Sequence, residues 1–475
     1  MFNNPLARPP ALRLGVLATC ALLAACAPLQ TRQSLQAANH LTEPHTGVAL
    51  QLARDEAERA QAQARIDALL AGPLGVDDAV RVALLGSPAL QALLAQAQAD
   101  SAASTQSARL SNPQFAFERL LIGGGGVEIT RTLSLGLLDL LTQPARARAD
   151  AARQQQIRLQ LARAVLQTAT QARLAWVRAV AAQQTAAYER DAHDAAQATA
   201  TLAARMQQAG NFTKLDAAQQ ALFAADTRLR LERAELAAQQ TREALVRALG
   251  LSPEQAGRLT LPKQLPPLPK TLPASAAPLQ SALDARLDVQ LARAEAIAAA
   301  QVAGLVRARS VVEHVELGGV RKTFSDAAAQ NGAELSLSLP VFDLGDARRS
   351  AAANAALAAR ERAVAVARNA ASQLRAADAQ RRSAWEQARL LGEQVVPLAQ
   401  TVLDESQLRY NGMLIGTFQL VAAAQTQVQA VRAAIAAQRD YWLSDAVWQA
   451  AQLGVDADAL PAPEAAAVAP AAAGH

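Results

Sequence analysis

Leu133-Ser134-Leu135-Gly136-Leu137 returns as Leu335-Ser336-Leu337-Ser338-Leu339, displaced by 202 positions (335 − 133). In each copy leucine alternates with a small or polar residue, the period-2 pattern of a strand with one apolar face and one polar face. The displacement extends outward. Pro144-Ala145-Arg146 answers to Asp346-Ala347-Arg348, and Gly210 to Gly412. Each glycine is followed by a helical stretch ending at a Leu-Gly pair, Leu249-Gly250 and Leu453-Gly454. Shared spacing of this kind marks the chain as two copies of one unit.

Each copy runs helix, β-hairpin, very long helix, turn, helix. In the first, residues 76–250, the hairpin covers about 112–138, the long helix 144–209 and the return helix 213–249. In the second, residues 278–454, the hairpin covers about 311–341, the long helix 346–410 and the return helix 417–453. Ile157, Leu161, Ala164, Thr168, Ala172, Ala175, Ala179, Ala182 and Ala186 step by three or four along one helix face. Roughly sixty helical residues reach about 90 to 100 Å, more than a globular core needs. Pro397 requires a kink or a join between two stacked helices in the second copy. Pro262, Pro266, Pro267, Pro269 and Pro273 make residues 251–277 an extended linker.

The partner strands run from Asn112 to Ile122, turning through Gly123 to Gly126, and from about Val311 to Lys322. Four such strands fit a membrane β-barrel but are too few to close one, and an open sheet edge in lipid leaves backbone groups unpaired. Several copies must therefore share one barrel.

Of 475 residues 51% are apolar but only 3% aromatic, because alanine supplies the apolarity of long, closely packed helices. The net charge of +5 comes from arginine, since Lys214, Lys263, Lys270 and Lys322 are the only lysines. These arginines are scattered among Glu and Gln along helices, which argues against nucleic-acid binding. At the N-terminus, Arg8 and Arg13 precede an apolar run ending in Leu23-Ala24-Ala25-Cys26. Residues 1–25 read as a secretory leader, too short to span as a stable helix. Cys20 lies inside it, which leaves Cys26 as the one cysteine of the mature chain. Residues 26–75 read as an N-terminal extension, flexible before about Gln51, and 455–475 as a disordered Ala/Pro tail.

The leader's end resembles a lipobox, which implies acylation of Cys26 and, with Ala27 following, an outer-membrane anchor. From about Val76 to Gly454 the chain resembles the TolC-type outer-membrane efflux family. The match is carried by Gly75-Val76-Asp77-Asp78-Ala79-Val80 with Ser87-Pro88-Ala89-Leu90, by Ala285-Arg286-Leu287-Asp288-Val289, where Leu287 replaces the usual proline, and by Phe342-Asp343-Leu344-Gly345 leading into Arg348-Arg349. The most specific pieces are Ala209-Gly210-Asn211-Phe212-Thr213-Lys214-Leu215-Asp216 and Arg409-Tyr410-Asn411-Gly412-Met413-Leu414-Ile415-Gly416, each similar to the family's inter-helix turn at the periplasmic tip.

The resemblance implies a mainly α fold with a small β part, its long antiparallel helical hairpins forming a coiled-coil tunnel. A homotrimer would complete a 12-stranded barrel in outer-membrane lipid. The partners implied are a periplasmic adaptor and an inner-membrane transporter of the proton-driven resistance-nodulation-division type. The tip turns are placed at Gly210 and Gly412, with Asp216, Tyr410 and Phe418 as gate or adaptor contacts. The run from Arg409 to Phe418 also looks like members found with copper or heavy-metal systems.

No cofactor, metal site or catalytic group is expected. Glu189 and His193 lie four apart on a helix without a third ligand in view, and Gly123 to Gly126 lacks the Gly-Lys-Ser/Thr of a phosphate loop. The other class open to the sequence is a non-conducting periplasmic lipoprotein spacer or adaptor, which would need no alternating hairpins.

Overall fold

The computed structural model describes residues 29–123, 126–272, 279–311, 314–325 and 327–456. Cys26 with its leader, the join at Pro273 and the tail past Asp456 lie outside the described residues. Helices α1 (Leu29–Thr46), α2 (Glu56–Leu69), α3 (Val76–Gly86) and α4 (Pro88–Ala108) lead to strands β1 (Gln114–Ile122) and β2 (Gly126–Gly136). Next come α5 (Leu137–Gln208), α6 (Lys214–Leu249), α7 (Pro253–Arg258), α8 (Leu279–Ala285) and α9 (Leu287–Arg309). Strands β3 (Val315–Phe324) and β4 (Gln330–Leu337) precede α10 (Asp346–Leu390), a π-helical turn (Leu391–Val395), α11 (Val396–Asn411) and α12 (Thr417–Leu453).

The residues group into two units. The first takes in residues 93–161 and 291–363 and holds the sheet. Its strand order is β1-β2-β3-β4, every pair antiparallel, so the two repeats join at β2 and β3. Phe115, Leu133, Gly319 and Ala333 lie in one cross-strand row, as do Phe117, Arg131, Arg321 and Asn331. Gln154 of α5 clasps α4, accepting from Ser101 Oγ at 2.7 Å and donating to its carbonyl at 2.8 Å. Asp139, in the first turn of α5, takes Arg146 at 3.2 Å and Arg309 at 3.1 Å. Gly345, at φ +71°, lies so close to the Ser310 backbone that a β-carbon would collide with its carbonyl.

The second unit takes in residues 42–92, 162–290 and 364–456. Its core joins Ile66, Leu70, Leu74, Val82 and Ala83 to Trp176, Val177 and Val180 of α5, and to Leu245, Leu249, Leu259 and Leu265. The Trp176 indole donates to the Leu74 carbonyl at 2.7 Å. The proline-rich stretch is bound rather than free. Pro266 O accepts from Gln438 at 2.7 Å and Trp442 at 3.0 Å, and Pro269 O accepts from Trp385 at 3.0 Å. Proline has no N–H to leave unpaired, but its carbonyl still accepts.

Several expectations need correction. The stretch before Gln51 holds a helix, α1, over Leu29–Thr46. Further on, α2 starts at a cap in which Asp55 accepts from Glu58 N at 2.8 Å while Glu58 accepts from Arg54 N at 2.7 Å. The first long helix begins at Leu137 rather than Pro144, so Leu137 is helical and Pro144 lies inside the helix. Leu339 falls beyond β4, which ends at Leu337. The linker contains a helix, α7, started by Ser252 in a capping box with Gln255 and by Pro253, which suits a first helical turn. At Pro397 the backbone stays helical, since Leu390, Val395 and Val396 are all right-handed, and the π-turn just before the proline accommodates its missing N–H. Finally, α5 between Leu161 and Ala181 is buried on more than the one face read from its alanines, because α3, α6 and the linker all pack on it.

Candidate functional site

The two inter-helix turns both lie in the second unit. After α5, Gly210 N bonds Gln207 O at 3.0 Å and Asn211 N bonds Met206 O at 2.9 Å. After α11, Met413 N bonds Tyr410 O and Leu414 N bonds Arg409 O, each at 2.9 Å. Both are Schellman turns, which need one residue in the left-handed region. Gly210 fills that place in the first at φ +79°, but in the second it is Met413 at φ +59°. Gly412, expected to be the reversing glycine, has φ −81° and caps the helix one residue earlier. The sequence repeat aligns the glycines, whereas the backbone aligns Gly210 with Met413.

Asp216 ties the turns together. Thr213 caps α6 by accepting from Asp216 N at 3.1 Å, and its hydroxyl donates to Asp216 Oδ2 at 2.6 Å. The other carboxylate oxygen accepts from Thr417 Oγ1, the first residue of α12, at 3.1 Å. The Thr213 hydrogen bond above all, with a smaller contribution from Thr417 and against the opposing pull of desolvation, holds the Asp216 carboxyl below the usual carboxylate range. Phe418 follows Thr417 and is exposed, as are Met413 and Leu414, so three apolar side chains stand free around the second turn. Tyr410 is half-buried and gives its carbonyl to that turn, while the Asp216 carboxylate bonds the two threonines.

Glu189 and His193 do not form a metal site. Glu189 is 1% exposed and ion-pairs with Arg432 of α12 at 2.6 Å, and His193 Nδ1 faces Thr227 Oγ1 at 3.2 Å. Among the described residues no cluster of three metal-ligating side chains exists.

In the first unit the strand faces differ in chemistry. Phe115, Leu121, Ile129, Leu133, Leu135, Leu317, Leu335 and Leu337 share one face, on which Leu133, Leu135, Leu317 and Leu335 are exposed. The other carries Gln114, Glu118, Thr130, Thr132, Ser134, Glu316, Lys322, Glu334 and Ser336, with Lys322 paired to Glu128 at 2.9 Å. An apolar face of this width on an unpartnered sheet suits contact with hydrocarbon.

Two buried arginines carry no mark of burial in their immediate sequence. Arg286 is 1% exposed, bonding Asp288 at 2.7 Å, Gln373 at 2.8 Å and the Ala370 carbonyl at 3.3 Å. This accounts structurally for the Arg-Leu-Asp stretch. Arg381 lies 3.4 Å over the Trp448 ring and pairs with Asp378 and Asp445. A longer-range helical signal is present for it, because Ala370, Leu374, Ala377, Arg381 and Ala388 fall on one buried face.

No family model matches the sequence, and no curated protein matches it. Solved structures do. The outer membrane protein VceC from Vibrio cholerae matches 80% of this chain and 96% of its own at 17% identity, with a TM-score of 0.67. The outer-membrane channel OprN covers 86% and 94% at 18% identity and 0.66. The open state of the Neisseria gonorrhoeae MtrE outer membrane channel covers 80% and 89% at 17% identity and 0.60. The chain therefore has the TolC-type fold of these outer-membrane channels, long helices with a small four-stranded sheet.

Proposed function

We propose that this chain, which shares the fold of outer-membrane channels, is one protomer of a passive trimeric conduit for efflux and performs no catalysis. The observation that carries the reading is the four-stranded sheet with an apolar face, in which the outer edges of β1 and β4 have no partner strand among the described residues. Such edges are not tolerated in lipid, so copies must complete the barrel, and three copies of four strands give twelve.

A second feature supports assembly. On α6 the buried seam of Gln220, Ala224 and Thr227 is opposed by Leu215, Leu222, Leu229 and Leu236, which recur every seventh residue and are all exposed. A helix with a seam on each side has two neighbours, and a second copy supplies the missing one.

Within this reading the mature chain is anchored by acyl chains on Cys26, with its helices extending into the periplasm. The turns at Gly210 and Gly412 form the tip. Asp216, Tyr410 and Phe418 act there as gate or adaptor contacts, Asp216 by stapling the two turns and Phe418 by its free apolar surface. A periplasmic adaptor and a proton-driven inner-membrane transporter of the resistance-nodulation-division type feed the conduit. The narrower assignment, heavy-metal export including copper, rests on the stretch from Arg409 to Phe418. It is tested by the metal and drug sensitivity of a deletion strain complemented with wild type or Cys26→Ser.

The direct test is purification from outer-membrane extracts, followed by native mass measurement and single-channel recording in planar bilayers. A trimer with stepwise conductance is expected, and Leu135→Arg with Leu337→Arg should abolish membrane assembly. A protein that assembles and conducts equally well with both substitutions refutes the barrel assignment. A monomeric or non-conducting wild type would favour the spacer or adaptor reading instead.

A further inference from the structure

Arginine recurs at each of the four places where a strand meets a helix. Arg109 follows α4 beside Leu110, and Arg307 and Arg309 end α9 just ahead of Val311. Arg146 and Arg148 lie within the first turns of α5, after Leu140 and Leu141, and Arg348 and Arg349 open α10 after Phe342 and Leu344. The stretches concerned, 107–111, 137–149, 305–311 and 339–349, hold seven arginines against three aspartates, and all lie in the unit that carries the sheet. Four of the seven are committed within the protein. Asp139 takes Arg146 and Arg309, Asp343 takes Arg348 at 2.9 Å, and Arg349 donates to the Leu344 carbonyl at 2.7 Å. Arg109, Arg148 and Arg307 are exposed, and no carboxylate among the described residues pairs with them.

The apolar residues beside these arginines are exposed too. Leu110, Leu140, Leu141, Val311 and Leu344 all face solvent, and Phe342 is covered by nothing. On α5, Leu141 and Arg148 share one face two turns apart, about 10 Å, and the next exposed leucine along that helix is Leu202. In the other direction the apolar surface runs on into the sheet. On the apolar face of the sheet the rows from Leu133 to Leu337 hold no charge, and the arginines of that face, Arg119, Arg131 and Arg321, all lie on the hairpin side of those rows. An uncharged band thus passes off the helical end of the sheet and stops at Arg109, Arg148 and Arg307. That is the pattern of a boundary between hydrocarbon and headgroups, where an arginine keeps its stem among apolar groups and turns its planar fork of donors to phosphate oxygens.

We infer that Arg109, Arg148 and Arg307 bind the phosphates of anionic phospholipid in the leaflet on the helical side of the barrel, with Leu141 and Phe342 among its acyl chains. The inference rests on the membrane-inserted reading of the sheet. The position of the anchor agrees with it. Residues 29–41 of α1 belong to the same unit as the junctions, and Cys26 stands three residues before Leu29, within about 11 Å of chain. Acyl chains on Cys26 would enter the membrane from that unit.

The test uses the full-length trimer reconstituted in phosphatidylcholine vesicles containing a minor fraction of phosphatidylglycerol, with bound lipid measured by native mass spectrometry. Wild type is expected to retain phosphatidylglycerol preferentially. Each arginine should contribute up to about fivefold, as for a basic residue near an anionic membrane surface. Arg109→Gln, Arg148→Gln and Arg307→Gln should lose that preference stepwise as they are combined, and Arg→Lys variants should recover most of it. Arg375→Gln, exposed on α10 roughly 39 Å beyond Arg349, should leave it unchanged. A fluorophore on Phe342→Cys should be quenched by lipid spin-labelled in its acyl chains. Equal lipid retention by wild type and the triple variant, with both forming conducting trimers, overturns the inference and leaves the conduit intact. So does an equal loss in Arg375→Gln. Conducting trimers without quenching at position 342 overturn it as well and assign that surface to a neighbouring copy. Failure of the wild type to enter vesicles at all overturns both readings.

Discussion

The repeat makes Gly210 and Gly412 look equivalent, but the backbone predicts opposite outcomes when each is replaced by alanine. Gly210 sits at φ +79° with nothing within 4 Å of the place a β-carbon would take, so Gly210→Ala meets only the conformational penalty of the left-handed region. That penalty is about 1–2 kcal/mol. Gly412 is at φ −81°, and its nearest neighbour, the Leu408 carbonyl, would be 3.5 Å from the new carbon, an ordinary contact. Gly412→Ala should therefore stabilise by about 0.4–1 kcal/mol through the unfolded chain. Met413→Gly relieves the strained residue at φ +59° and recovers about 1–2 kcal/mol, less the added freedom of glycine in the unfolded state. The assay is hydrogen exchange at the amides of Asn211 and Leu414, which report the two turns through their bonds to Met206 and Arg409. Protection at Asn211 should fall about 5- to 30-fold in Gly210→Ala, since 1–2 kcal/mol is that factor in an opening equilibrium. Protection at Leu414 should hold or rise in Gly412→Ala and in Met413→Gly. Equal losses in the two alanine variants, or a loss in Met413→Gly, would refute the one-residue shift between the turns.

Leu222→Asp and Leu229→Asp should leave a folded protomer by circular dichroism and shift the trimer to monomer in sedimentation. Each leucine loses about 2 kcal/mol of burial per interface, and an unchanged trimer would remove α6 from the contact between copies. Because the Asp216 carboxyl is held below the usual range, its contribution is complete above the unfolded carboxylate value and is lost only as pH falls through the lower folded value. The Asp216–Thr417 link should accordingly be constant from about pH 5 to 8. A tip transition with a midpoint near neutrality, followed by a fluorophore on the second turn, would refute this, and Asp216→Asn should remove the acid-side change. Pro397→Ala restores an N–H next to the π-turn and should raise exchange protection around Leu391–Val395. No gain there would mean that the proline does not maintain the turn.

Legibility follows the range of the forces involved. The strands are readable because the parity of Leu133 and Leu135, or of Leu335 and Leu337, is decided within a few residues, and the repeat supplies a second reading of the same pattern. The capped start of α2 is equally local, in Asp55 and Glu58, but the polar composition around it masks the signal. Gly412 misleads because the choice of left-handed residue depends on where α11 ends, a matter of one residue that tertiary packing settles. Arg286 and Arg381 are hidden for a different reason. In a sequence rich in exposed arginine, charge carries no sign of burial, and only the helical phase of Arg381 among Ala370, Leu374, Ala377 and Ala388 separates it from the rest. At the tip, Asp216 is legible as a polar residue in a turn, but its bond to Thr417 joins positions 201 apart and has no local signature.

The two repeats also differ in stiffness. In the first, α5 runs 72 residues as one α-helix, whereas its counterpart is cut into α10 and α11 by the π-turn and Pro397. A continuous helix resists bending along its whole length, and a π-turn concentrates compliance at one place. Loaded side by side as staves of one wall, the two would share a displacement but not a force. The first would carry most of the strain energy, limit how far the wall travels and return it to its rest shape, and the second would follow by yielding at Leu391–Val395.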